Sequence, residues 1–149
     1  MDNYRSIGRC VSVLNRYSNI YFSEALCDLN IHGSGQLRIV LALAKCESGV
    51  TQDELAKGLL VDKGSISRMI RPLIRNGIVE RKRNPEDHRA YVIRLTGFAK
   101  EKLPDIKERA RKWTEILSRD FTQEDTDMLF SLFDKIERNA ANHVKGTIE

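Results

Sequence analysis

Thr51-Gln52-Asp53-Glu54-Leu55-Ala56-Lys57-Gly58-Leu59-Leu60-Val61-Asp62-Lys63-Gly64-Ser65-Ile66-Ser67-Arg68 is the stretch on which the reading of this chain turns. Thr51 and Glu54 have capping-box spacing: the hydroxyl takes the amide three residues on, and the carboxylate reaches back to the Thr amide. A short helix is expected from there to about Leu59, weakened near its end by Gly58. Leu60-Val61-Asp62 is a three-residue turn, and Asp62 is a good N-cap for the next helix. That helix is expected to run to about Asn76, where Asn76-Gly77 stops it. Ile66, Met69, Ile70, Leu73 and Ile74 form its apolar side, while Gly64, Arg68, Arg71 and Arg75 step along another face.

Outward from this pair, Ile78–Arg83 reads as a strand, Asn84-Pro85-Glu86-Asp87 as a turn, and Ala90–Leu95 as a second strand with Tyr91, Ile93 and Leu95 on one face. The two strands make a β-hairpin with a charged tip. Upstream, a helix over 4–29 carries Ile7, Val11, Leu14, Ser18, Tyr21, Phe22, Ala25 and Leu29 at three- and four-residue steps. A second helix, capped by Ser34, buries Leu37, Val40, Leu41 and Ala44. Downstream, Thr96 opens a helix to about Asp120, which Pro104 should kink. Thr122 to Asp125 cap a last helix with Met128, Leu129, Leu132, Phe133 and Ile136 on its apolar side. The fold class is mainly α with a small β-hairpin, in the order of a winged helix-turn-helix. The expected organisation is a helix over 1–33, a winged helix-turn-helix over 34–96 and further helices over 97–149. One 149-residue chain has too small a core to bury every apolar stripe. The end helices are therefore expected to pack against a second copy, making a homodimer.

The charge is unevenly placed. The chain carries 25 Lys and Arg against 21 Asp and Glu, a net +4. Residues 62–94 alone hold nine basic and four acidic residues, +5, so the rest nets −1. That is the footprint of a surface that meets phosphate. In the helix-turn-helix docking mode, the N-terminal part of the second helix reads base edges in the major groove of double-stranded DNA. Lys63, Ser65, Ser67 and Arg68 are assigned there. Arg71 and Arg75 either meet phosphate or stay solvated. Thr51 and Gln52 start the preceding helix, whose amides suit a DNA phosphate, although capping alone also explains Thr51. At the hairpin tip Arg89 suits the minor groove. Asp87 is expected to orient its guanidinium by a paired hydrogen bond.

Asp62-Lys63-Gly64-Ser65-Ile66-Ser67-Arg68, Asn76-Gly77-Ile78-Val79-Glu80-Arg81, Asp87-His88-Arg89 and Leu95-Thr96 together resemble the MarR family of transcription regulators, most densely over about residues 51–97. The resemblance implies a triangular homodimer with recognition helices in consecutive major grooves and wing arginines in the flanking minor grooves. It also implies an inverted-repeat operator. Many members release DNA on binding small phenolic or other lipophilic compounds, or on cysteine oxidation. Pro72 departs from the pattern: it should kink the recognition helix or end its regular part.

The resemblance places an effector pocket where the dimer helices meet the winged domain, with Arg16, Tyr17, Tyr21 and His32 as candidate lining. Cys10 is the candidate for an oxidant sensor, but a buried inert thiol is the favoured reading. No metal or cofactor is expected. His32, His88 and His143 are far apart, and Glu24, Cys27 and His32 lack a supporting His pair. Three cysteines (Cys10, Cys27, Cys46) without C-x-x-C indicate neither a disulfide framework nor a zinc ribbon. No G-x-S-x-G, P-loop or H-E-x-x-H is present, so no enzyme is expected. With no apolar leader at the N-terminus, and Ile39–Ala44 the longest apolar run, a soluble cytoplasmic protein with no membrane partner is expected. The alternative to a DNA-binding regulator is a winged helix used only for protein interaction, which leaves Ser65, Ser67, Arg68 and Arg89 without a purpose.

Overall fold

The computed structural model describes residues 6–84 and 86–148; Tyr4 and Arg5 of the expected first helix and Pro85 of the expected turn lie outside them. The helices are α1 (Ile7–Ala25), α2 (Gly33–Leu43), α3 (Gln52–Leu59), α4 (Lys63–Arg75), α5 (Gly97–Leu117) and α6 (Gln123–Ile148). A 3-10 turn (Cys27–Leu29) follows α1, and β1 (Val79–Arg83) pairs antiparallel with β2 (Tyr91–Leu95). The chain forms two compact units, Met1–Trp113 and Thr114–Glu149.

In the first unit, local chemistry sets the helix ends. The Thr51–Glu54 capping box is complete: the Glu54 amide donates to Thr51 Oγ1 at 3.2 Å and the Thr51 amide to Glu54 Oε2 at 2.7 Å. The bonds Thr51 donates to the carboxylate, chiefly the one from its amide, hold Glu54 below its ordinary pKa. α4 ends in a Schellman motif. The Ile78 amide bonds the Leu73 carbonyl, the Gly77 amide bonds the Ile74 carbonyl, and Gly77 takes φ +70°. Leu73 and Ile78, the apolar pair of that motif, are buried. Thr96 caps α5, accepting from the Ala99 amide at 3.2 Å while its hydroxyl donates to the Gly77 carbonyl at 2.6 Å.

Three expectations are corrected. Ser34 does not cap α2. The helix starts two residues earlier than a Ser34 cap would set it, at Gly33, with φ +79°; the Ser34 amide donates to Asn19 Oδ1 of α1 at 3.2 Å, and the His32 amide to Gln36 Oε1 at 2.7 Å. A side chain on another element thus does what Ser34 was expected to do. Secondly, of the two outcomes expected of Pro72, the helix does not end there: α4 continues to Arg75, and α5 runs through Pro104 to Leu117, close to its expected end. Each proline forfeits one backbone bond, but Leu73 and Ile106 beyond them are fully buried, and packing outweighs propensity. Thirdly, Cys10 is exposed, as is Cys27. The N-terminal half of α1 carries an open apolar stripe, with Ile7, Val11 and Leu14 all exposed.

The C-terminal half of α1 is packed on one side, while Tyr17 and Ile20 on it stay exposed. Trp113 stacks on Tyr21 with centroids 4.6 Å apart, meets Phe22 edge-on and donates its indole N–H to Ser18 Oγ at 2.9 Å. Arg109 donates to the Ala25 carbonyl and pairs with Asp28 and Asp105. The core runs through Leu26, Ile39, Ile66, Ile70 and Ile93, joining α1, α2, α4 and the hairpin. One further bridge crosses to the wing: the Val50 amide donates to the Ile93 carbonyl at 3.0 Å, and the Ile93 amide to the Val50 carbonyl at 2.7 Å. Gly49 makes room for it, with φ +88° and a place where a Cβ would lie 2.9 Å from the Ile93 carbonyl oxygen.

In the second unit, Thr122 and Asp125 form a reciprocal cap at the start of α6. Met128, Leu132 and Phe133 are exposed on the apolar side expected of α6, and Phe130 is exposed away from it.

Leu60 ends α3 in the left-handed region, φ 53°, with 92% of its surface exposed. That conformation costs a leucine about 1–2 kcal/mol, whereas Asn visits it readily. Leu60→Asn should therefore raise stability by about 0.5–1 kcal/mol, read as a higher urea midpoint at unchanged slope. A lower midpoint would show that the leucine side chain is stabilising despite its exposure.

Candidate nucleic-acid interface

α4 presents its buried side, Ile66, Ile70 and Leu73, to the core, so Lys63, Gly64, Arg68, Arg71 and Arg75 face outward. Its first turn is organised by one carboxylate. Asp62 Oδ1 accepts from the Ser65 amide at 2.8 Å, and the Ser65 hydroxyl donates to Asp62 Oδ2 at 2.6 Å. Arg68 Nη2 then donates to Ser65 Oγ at 2.8 Å. Cap, hydroxyl and guanidinium form one chain of hydrogen bonds. The Ser65 hydroxyl and amide hold Asp62 below the ordinary carboxylate range, so it stays ionised and keeps its grip. Ser65 thus positions Arg68 rather than standing free. Gly64 has its own reason: a Cβ there would come within 3.2 Å of Asp62 Oδ1. Ser67 is half-buried beside this turn.

Lys63 Nζ lies 2.7 Å from Asp53 Oδ1, joining the starts of α4 and α3. Both partners are largely exposed, so the pair orients more than it stabilises. Thr51, Gln52, Lys63 and Arg89, four of the residues expected at DNA, line one cleft of about 280 Å³ with Asp53, Arg81, Ala90, Tyr91 and Ile93. Arg81 and Tyr91 were missed by sequence reasoning. Their signal lies in the strand register, which sets Arg81 opposite Ile93 and Arg83 opposite Tyr91 on one face of the hairpin.

The hairpin tip departs from expectation. Asp87 Oδ1 accepts the backbone amide of Arg89 at 3.0 Å, and no ion pair joins Asp87 to the Arg89 guanidinium among the described residues. A carboxylate two residues before an amide closes a tight Asx turn, and that geometry engages it locally. The Arg89 side chain is exposed. Of the four effector candidates, Tyr21 stacks with Trp113, while Arg16, Tyr17 and His32 are exposed. A second cleft of about 290 Å³ is lined by Ala42, Lys45, Cys46, Val50, Glu54, Leu55, Gly58 and Leu59. Among the described residues, no group of three His, Cys, Asp or Glu is placed to hold a metal ion, and no helix is long and apolar enough to cross a membrane.

A capped helix, a short turn, a second helix with an outward row of arginines and a hairpin bridged to the first helix's lead-in define a winged helix-turn-helix protein. The MarR family model matches residues 35–91. The chain is 33% identical to the multiple antibiotic resistance protein MarR of Escherichia coli (strain K12) over 90 residues, which span 60% of this chain and 61% of that protein. It is 34% identical to the crystal structure of a MarR transcriptional regulator from Methanosarcina mazei Go1, with a TM-score of 0.79 over 91% of this chain and 96% of that one. A cysteine-to-serine mutant of E. coli MarR, crystallised with operator DNA, superposes with a TM-score of 0.74 at 27% identity, covering 87% of this chain and 92% of that one. The chain belongs to the MarR family, whose members are transcription regulators and not enzymes.

Proposed function

We propose that this protein regulates transcription by binding, as a homodimer, an inverted-repeat operator in double-stranded DNA. The carrying observation is the Asp62–Ser65–Arg68 chain, which aims a guanidinium outward from the first turns of α4. A guanidinium so held suits the O6/N7 edge of guanine. Arg71 and Arg75, further along, suit phosphate, and the exposed Arg89 suits the minor groove. Thr51 and Gln52 suit phosphate at the start of α3. The dimer is supported by the open apolar stripe on α1 and, separately, by that on α6, since large exposed apolar faces mark interaction surfaces. Family membership supports the finer reading: repression in the cytoplasm, relieved by a small phenolic or other lipophilic compound.

The test is selection of binding sites from random duplex DNA near physiological salt, followed by the stoichiometry of the selected complex. The expected result is an inverted repeat with half-site centres about one helical turn, roughly 10 bp, apart, bound by two chains. Failure to bind duplex at any salt would overturn the reading in favour of a protein-interaction module.

A further inference from the structure

On the wing, Tyr91 and Arg81 lie on the same face of the hairpin, diagonal across the strands. The Arg81 guanidinium carbon sits 4.1 Å from the centroid of the Tyr91 ring, a cation–π contact; that of Arg83 lies at 6.0 Å. The opposite face is electrostatically closed: Glu80 takes Arg94 at 2.6 Å and Lys82 at 3.3 Å, and Arg94 above all holds its carboxyl below the ordinary range. On the Tyr91 face, no ion pair is formed by Arg81 or Arg89 among the described residues. Both line the cleft with Lys63 and Asp53, which are paired with each other. The cleft therefore carries two uncompensated cations, and its complement is an anion.

We propose that Tyr91 is a positioning residue. Its ring holds the Arg81 guanidinium in the cleft at the foot of the wing, where Arg81 receives a DNA backbone phosphate. The inference rests on the DNA-binding reading and deepens it. A guanidinium lying on a ring has one face occupied and its N–H edge free, the edge that engages phosphate by two parallel bonds. A held side chain also loses less rotamer freedom when the phosphate arrives. Phosphate is favoured over a base edge because the Arg81 end of the cleft lies on strand residues, not on the outward face of α4.

Full-length protein and the selected duplex provide the test. Affinity is measured over a range of salt for wild type, Arg81→Ala, Tyr91→Ala, Tyr91→Phe and the Arg81→Ala/Tyr91→Ala double variant. Arg81→Ala should weaken binding roughly tenfold. It should also reduce the slope of log affinity against log salt by about 0.9 per chain, the mark of one lost phosphate contact. Tyr91→Ala should weaken binding about threefold, Tyr91→Phe should recover most of that loss, and Tyr91→Ala should add nothing once Arg81 is gone. If Tyr91→Ala unfolds the hairpin, Tyr91→Leu, which fills the position without an aromatic ring, takes its place. An unchanged salt slope in Arg81→Ala would overturn the inference and leave the DNA-binding reading standing. A Tyr91→Ala loss that persists in full without Arg81 would overturn the positioning role. Wild-type protein that binds no duplex would overturn both readings.

Discussion

Replacing Arg68 by Ala is expected to cost about 1–3 kcal/mol of binding to the selected operator, a factor of about 5 to 150, and to relax base preference at one position of each half-site. The fold should be untouched. Arg68 is exposed, and the helix start it decorates is held by the bond from the Ser65 amide to Asp62, which the substitution leaves in place. The loss should fall on discrimination more than on general attraction, because a base-reading contact is absent from random duplex. Anisotropy titrations against the operator and a scrambled duplex at one salt concentration separate the two. Ser65→Ala serves as a graded companion: it removes the hydroxyl that links Asp62 to Arg68 but not the guanidinium. It should give a smaller loss in the same direction. An Arg68→Ala protein with wild-type discrimination would mean that another face of α4 meets the bases.

Gly33→Ala is expected to cost about 1.5–4 kcal/mol of folding stability, and the reason is twofold. The residue sits at φ +79°, where an L side chain costs about 1–2 kcal/mol. Its Cβ would also overlap the Asn19 carboxamide oxygen, which accepts the Ser34 amide. Driving Asn19 away uncaps α2, typically another 0.5–2 kcal/mol, on the order of any lost N-cap. Since α2 delivers Leu37, Ile39, Val40 and Leu43 to the core, its loosening is felt throughout the first unit. Urea unfolding of Gly33→Ala, Asn19→Gly and the double variant reads this directly. The two costs should not add, because truncating Asn19 removes the overlap while the backbone strain remains. Additive losses would show that Asn19 and Gly33 act independently.

The helix-turn-helix was legible because its punctuation is local. Thr51 with Glu54, Asp62, and Asn76 with Gly77 each specify a hydrogen-bond pattern within a few residues, and each forms it. The outward row Arg68, Arg71 and Arg75 followed from helical period alone. What stayed hidden depended on distance along the chain. Asn19 caps α2 from fifteen residues away, a substitution for Ser34 that no local rule foresees. Arg81 and Tyr91 meet only once the register of the hairpin is known. The α4 helix does not end at Pro72 because the buried Leu73 beyond it offsets the missing bond, and propensity carries no information about that burial. Cys10 was read as core from the habits of free thiols in general, whereas it lies on the stretch of α1 with an open apolar stripe.

The Val50–Ile93 bridge bears on how such proteins can be recombined. The wing is fastened to the lead-in of α3 by two main-chain bonds, which do not depend on the side chains at either position. A hairpin taken from a relative and grafted between Ile78 and Thr96 therefore inherits its fastening without matched residues at the seam. The constraint falls on the recipient instead. Position 49 must keep its glycine, since a Cβ there would press on the Ile93 carbonyl, the acceptor of the graft. Chimeras that respect this single position can exchange what the wing reads while keeping where it is held.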